Sequence, residues 1–342
     1  MGSALAAILI VATLSACQPS SDPENAADET RVDAIDEDDG VTDVTVTAAF
    51  EPIEGGTLAV DFIPDADAPW TGLVVTAPRD GGLDLYNTDG ENVARITGPR
   101  LTGLAVSPNF ALRGESLPLI LGVDGQAGHV RGYVLLRSGP DAIEAPLSDI
   151  QPSGGASNLC FVREGAGFVD IAVLGRESVV ELWRISDDGG DVIGAERLRS
   201  TRLNAPARTC TAQDGDVFVS GPTSSLTRLD SSGAATGDVP MNALNLASGI
   251  MAGRPVVLAA DGNSETLRIF DARTLDMVST LRVVTGLSTP GVTRPGALAI
   301  SDASYGGMSY QSGLIAVVDE ADGRVRVIAR ESFARDITLA NQ

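Results

Sequence analysis

A chain of 342 residues with 43% hydrophobic and 20% charged side chains is long enough to bury a substantial core, which excludes disorder throughout. Aromatics are only 4%, against 38 Gly and 18 Pro, so the interior must come from Val, Leu, Ile and Ala joined by many tight turns, a β-rich profile. The 46 acidic and 24 basic residues leave a net charge of −22, which repels a phosphate backbone and argues against nucleic acid as a partner.

All 24 basic residues are Arg, so Schiff-base, Walker-type and lysine general-base chemistry are excluded. His129 is the only histidine, and any His-rich metal site, Ser-His-Asp triad or Cys-His dyad would have to run through it.

In chain order, residues 1–16 come first, with an apolar run over 4–13 that is too short to span a bilayer and ends in Leu14-Ser15-Ala16-Cys17. That string resembles a bacterial lipobox. The resemblance implies a signal peptide over 1–16, lipid attachment at Cys17, and an exported protein anchored in the cell envelope, at the outer membrane or in the periplasm. The short n-region Met1-Gly2-Ser3 carries no basic residue. Residues 17–43 read as an acidic flexible tether: between Gln18 and Asp43 there are ten acidic residues and one Arg, and self-repulsion keeps such a segment solvated.

From residue 44 onward one pattern recurs, an apolar strand-like run, a short Gly or polar loop, and a second β-type run ending in an acidic or Gly turn. Six copies begin at 72, 117, 168, 216, 255 and 313, at separations of 45, 51, 48, 39 and 58 residues, the spacing of four-stranded propeller blades. Short runs rich in small residues precede most copies, at 101–106, 157–162, 208–212 and 296–300, as innermost strands crowded around an axis require. The expected fold is all-β, a six-bladed β-propeller with four-stranded antiparallel blades over 44–342. Alternation along Leu-Arg-Ile-Phe-Asp and Arg-Val-Arg-Val-Ile places Arg268, Arg324 and Arg326 on the water side.

Cys160 and Cys210 fall in the innermost runs of consecutive repeats, where equivalent positions are close. In an exported protein such a pair reads as a disulfide, the other reading being two buried free thiols.

Several strings resemble the β-propeller phytases. They are the 76–92 segment beginning Thr76-Ala-Pro-Arg79, Asp65-Ala-Asp67-Ala68-Pro69, Asn158-Leu-Cys160-Phe followed by Leu174-Gly-Arg176-Glu177, Arg208-Thr-Cys210, and the stretch from Thr293 to Val318. They cover most of 60–330, in order. The resemblance implies six blades and a Ca²⁺-dependent hydrolase of inositol hexakisphosphate, in which clustered carboxylates at the channel mouth hold several ions.

The metal ligands it leaves here are Asp67, Glu177 and Asp261, with Glu320 a further acid. Ala68, Arg208 and the Ser220-Gly221-Pro222 and Val292-Thr293-Arg294-Pro295 strings stand where the family carries carboxylates. Replacing a calcium ligand by Arg reverses the local charge, so multi-calcium catalysis is not expected and no catalytic residue is assigned.

The same replacements suggest a direct anion site made by Arg79, Arg176, Arg208 and Arg294 facing one channel mouth, the other reading being scattered solvated arginines. The function expected is thus a monomeric phytase-like lipoprotein, non-catalytic, that binds a small anionic ligand such as a phosphate ester, or a protein partner, and meets the membrane only through its lipid. The alternative is a divergent Ca²⁺-dependent 3-phytase or phosphatase. A third reading is a different hydrolase using His129 with a carboxylate such as Asp124, the other reading being a turn residue beside a glycine-rich loop.

Overall fold

The computed structural model describes residues 40–53, 55–221 and 225–339, with side chains to 335. The assigned signal peptide, Cys17 and nearly all of the assigned tether lie outside the described residues.

The fold is a six-bladed β-propeller. Two strands, β1 (Val41–Thr45) and β2 (Ala48–Ala49), precede the blades. Blade one is β3 (Thr57–Ile63), β4 (Leu73–Pro78), β5 (Leu83–Tyr86) and β6 (Asn92–Ile96). Blade two is β7 (Leu101–Leu112), β8 (Glu115–Asp124), β9 (His129–Leu135) and β10 (Ala142–Ala145), and blade three is β11 (Ala156–Gly165), β12 (Phe168–Gly175), β13 (Val179–Ser186) and β14 (Gly194–Arg202). Blade four is β15 (Thr209–Gln213), β16 (Asp216–Ser220), β17 (Leu226–Leu229) and β18 (Ala235–Val239). Blade five is β19 (Ala243–Met251), β20 (Arg254–Asp261), β21 (Thr266–Asp271) and β22 (Met277–Val284). Blade six is β23 (Pro295–Ser301), β24 (Leu314–Asp319) and β25 (Arg324–Ala329), followed by the helix α1 (Arg330–Leu339).

Each blade is an antiparallel meander, and all six hairpins expected from the sequence are its second and third strands. Blade six lacks a fourth strand of its own: β2 supplies it, pairing antiparallel to β25. Blade five gains a fifth, β1, parallel to β22. Strand pairing therefore starts at Val41, three residues inside the stretch assigned to the tether, with Asp43 on Arg282 at 2.9 Å.

The hydrophobic pattern explains the ring. In β20 the run Val256 to Ala260 has no polar member because both faces are buried. Val256, Leu258 and Ala260 pack toward blade six, whereas Val257 and Ala259 pack toward blade four. The described residues form six apolar clusters, one at each junction between neighbouring blades. No hairpin could bury both faces alone, and stacking in a closed ring does so.

The innermost strands present free backbone edges to the channel, and side chains from the next blade engage them. Asp61 accepts from Val106 N at 3.0 Å, Thr102 Oγ1 donates to Ser157 O at 2.8 Å, and Asn158 Nδ2 donates to Arg208 O at 2.9 Å. Thr209 Oγ1 accepts from Leu246 N at 3.2 Å and Asn245 Oδ1 from Leu298 N at 3.4 Å. Gly103 permits the Asn158 approach: a Cβ there would stand 2.0 Å from Asn158 Oδ1.

Cys160 and Cys210 form a disulfide between the innermost strands of blades three and four, with Cα atoms 5.8 Å apart. Arg326 corrects the sequence reading that sent it to water. It is 1% exposed, because the long connection between β22 and β23 lies over it and Pro290 O accepts its Nε at 2.9 Å.

Candidate functional site at the channel mouth

Every innermost strand starts at one end of the ring, here called the upper end, where the turns between second and third strands also lie. The register identifies equivalent positions. The first residue of each innermost strand faces the last of the second strand: Thr57 with Pro78, Leu101 with Asp124, Ala156 with Gly175, Thr209 with Ser220, Ala243 with Asp261, Pro295 with Asp319. One residue further out, the same backbone bond recurs in five blades. Arg79 N donates to Gly56 O, Gly125 N to Arg100 O, Arg176 N to Gly155 O, Gly262 N to Asn242 O and Glu320 N to Arg294 O, at 2.8–3.0 Å.

Arg79 and Arg176 are therefore equivalent to each other, and so are Arg100, Arg208 and Arg294. Five arginines, one in each blade except the fifth, stand on the upper loops. All four arginines assigned from sequence belong to this rim. Arg100 was missed: it precedes the Leu101–Val106 run as Arg208 precedes Thr209, and aligning the repeats on their innermost strands would have found it.

The rim is not one cluster. Arg79 and Arg294 flank Glu320 at 3.8 and 3.5 Å, both beyond hydrogen-bond distance, and Arg294 Nη2 also donates to Glu320 O at 2.7 Å. Arg176 Nη2 donates to Gly125 O at 2.7 Å, at the junction of blades two and three. Arg100 and Arg208 are exposed, and among the described residues their guanidinium groups have no hydrogen-bond or ion-pair partner. A cavity of about 260 Å³ opens beside Arg79 and Glu320, between the glycine backbones of Gly56 and Gly323.

The three assigned metal ligands do not fit one shared calcium ion. Asp67 lies in the connection between β3 and β4, at the lower end. Glu177, on the upper loop of blade three, accepts from Ser153 Oγ at 2.8 Å. Asp261, two blades on, is 3% exposed, pairs with Arg268 at 2.6 Å and accepts from Asn263 N in its own turn. That turn is a repeated device: Asp124, Asp261 and Asp319 each accept from the amide two residues on. Calcium needs six to eight oxygens on one centre. Among the described residues no group of three or more His, Cys, Asp or Glu converges in that way.

His129 pairs with a carboxylate, Asp149, and not with Asp124, the example named in the third sequence reading. Its Nδ1 is 2.7 Å from Asp149 Oδ1, because Asp124 is taken by its own turn and by Arg131. Asp124 is held below the usual carboxylate range: burial works against this, and the Ala127 and Gln126 amides and Arg131 outweigh it. The His129–Asp149 pair borders a cavity of about 630 Å³ on blade two, with Arg131 and Glu144 also in its wall.

No protein-family model and no curated protein sequence matches this chain. Solved structures match in fold. The WD40 β-propeller domain of Doa1 superposes with a TM-score of 0.50 at 13% identity, over 84% of this chain and 96% of that one. The β-propeller domain of Myceliophteria thermophila Cps50 (Swd1) does so with 0.50 at 11%, over 83% and 98%. BBS1N in complex with ARL6DN gives 0.50 at 12%, over 82% and 93%. At these identities the likeness is one of architecture alone.

Proposed function

We propose that the chain is a non-catalytic, phytase-like β-propeller that binds an anionic ligand or partner protein at the upper mouth of its channel. The observation that carries this reading is the arginine rim, five guanidinium groups at two sets of equivalent loop positions around one mouth. Arg pairs with carboxylate or phosphate through two parallel hydrogen bonds, and such charge-assisted bonds are each worth about 1.5–3 kcal/mol. The BBS1N structure, a complex with ARL6DN, is an example of a protein of similar architecture with a protein partner. The Leu14–Cys17 string supports an exported, lipid-anchored protein with this mouth presented in the cell envelope.

Inositol hexakisphosphate is the probe that separates this from the alternative, a divergent Ca²⁺-dependent phytase. Calorimetry in the presence of chelator should show saturable binding that Arg100→Glu and Arg208→Glu each weaken at least tenfold, with no phosphate released. Phosphate release that depends on Ca²⁺ would establish the enzyme instead. Neither binding nor release would remove the anion reading.

A further inference from the structure

We infer that Glu320 is an internal ligand of the rim: its carboxylate holds the place of a phosphate group between Arg79 of blade one and Arg294 of blade six, and a phosphate ester enters there only when Glu320 turns away. Glu320 thereby sets the affinity of the anion site proposed for this mouth, on which its role rests.

Two guanidinium groups from neighbouring blades face one carboxylate, which carries half of their combined charge. Arg79 Nη2 and Arg294 Nε stand 3.8 and 3.5 Å from it, and the Arg79, Arg294 and Glu320 side chains remain 43%, 62% and 35% exposed. The backbone of Glu320 is fixed on the Arg294 side, where its N–H donates to Arg294 O and its carbonyl accepts Arg294 Nη2. A free phosphate group has no such tether. It can approach both guanidinium groups to about 2.8 Å and brings a charge of about −1.5 to −2 to match theirs.

The neighbouring carboxylates are committed elsewhere. Asp319 accepts the Thr293, Arg294 and Ala321 amides, Asp322 accepts Arg326 Nη2 at 2.5 Å, and Asp80 accepts Arg95 Nη2 at 2.9 Å. Among the described residues the Glu320 carboxylate accepts no hydrogen bond, only the two long ion pairs. Its side chain lies on Gly296, the second residue of β23. The three atoms nearest to a Cβ at that position would all belong to Glu320, the closest being Cγ at 2.6 Å. The cavity of about 260 Å³ that Arg79 and Glu320 line gives room for the exchange. A carboxylate tethered beside two arginines competes at high effective concentration, so an outside anion binds in proportion to the fraction of sites that Glu320 leaves free.

The test is calorimetry of the full chain with inositol hexakisphosphate in the presence of chelator. Glu320→Gln removes the competing charge. Gly296→Ala keeps that charge and pushes the side chain off the strand, and Gly296 has no positive φ that alanine would strain. Each variant should bind at least about fivefold more tightly than the wild type, and both gains should vanish when Arg79 and Arg294 are also replaced by Gln. Unchanged affinity in both variants, a gain in Glu320→Gln without one in a folded Gly296→Ala, or a gain that persists without the two arginines would each overturn the role of Glu320. Should Gly296→Ala fail to fold, the cycle of Glu320→Gln with the two arginines decides it. Wild-type binding without the gain removes the role of Glu320 alone, whereas no binding by any of these proteins removes the anion reading of the mouth together with it.

Discussion

Asp61 on the innermost strand of blade one accepts the Val106 amide of blade two at 3.0 Å, so a single carboxylate closes a free strand edge and joins two blades. Thr102, Asn158, Thr209 and Asn245 do the corresponding work at the next four junctions with neutral groups. The charged member is the one whose contribution depends on pH.

Burial raises the Asp61 pKa from 3.8 to about 7, against the opposing pull of the Phe62 and Val106 amides. A raised folded-state pKa gives stability that is complete below about pH 4 and lost as pH climbs through 7. Three pK units would amount to about 4 kcal/mol, which water in the half-buried channel reduces to about 1–2 kcal/mol. Asp61→Asn should therefore be more stable than the wild type at pH 8 by that amount and no more stable at pH 4. Urea unfolding at the two pH values measures it, and a variant less stable at pH 8 would contradict the assignment.

Asp170 acts in the opposite direction. It is fully buried and accepts Arg163 Nε at 2.7 Å and Arg184 Nε and Nη2 at 2.8 and 3.0 Å. Burial raises its pKa, but the bonds from Arg184 and Arg163 outweigh it and hold the carboxyl below the usual range. Its stabilisation is present above about pH 4 and lost as pH falls through the lowered value. Asp170→Ala strands Arg184, which also stacks 3.8 Å over Phe168, and should cost about 3–5 kcal/mol at pH 7 with a smaller deficit at pH 2–3. Denaturation midpoints across that range are the check.

The Cys160–Cys210 disulfide closes a loop of 50 residues across the junction of blades three and four. In the chain-entropy picture this contributes about 4 kcal/mol. Reduction, or replacement of both cysteines by Ala, should lower the guanidinium midpoint correspondingly, and intact mass without reductant should fall 2 Da below the dithiol value, about one Da per sulfur.

Closure of the ring places Phe50 under blade one, 1% exposed and stacked on Tyr86 at 5.3 Å between centroids. Truncating a buried Phe costs about 3–5 kcal/mol. Phe50→Ala should lose that much, and limited proteolysis should then cut first within residues 41–50. Cleavage elsewhere with 41–50 intact would show that the segment is held independently of this contact.

The hairpins were legible because strands buried on both faces read as unbroken apolar runs, such as Val256 to Ala260, bounded by Gly and Asp turns. The disulfide was legible because both cysteines fall in the innermost strands of consecutive repeats, although the register sets Cys160 level with Ala212, two residues past Cys210. The closing strands were not: β2 has two residues and no period of its own, and β1 is held by partners almost 240 positions away. Arg100 escaped because loop residues have no periodicity, and only the strand register shows that it matches Arg208 and Arg294. Arg326 follows the alternation of an exposed strand, and its burial is set by a connection distant in sequence. Asp61 reads as an ordinary polar position in Leu-Ala-Val-Asp-Phe-Ile; that its carboxylate takes the Val106 amide of the next blade becomes visible only in the closed ring.

Because β1 and β2 complete blades five and six, the earliest part of the propeller to leave a ribosome has nothing to pair with until residues near 280 and 327 have followed. Closure of the ring then waits for blade six, and a chain terminated before it keeps an open, adhesive sheet edge at both ends. Quality control in the cell would therefore meet truncated products as unfinished rings, whichever blade the interruption falls in.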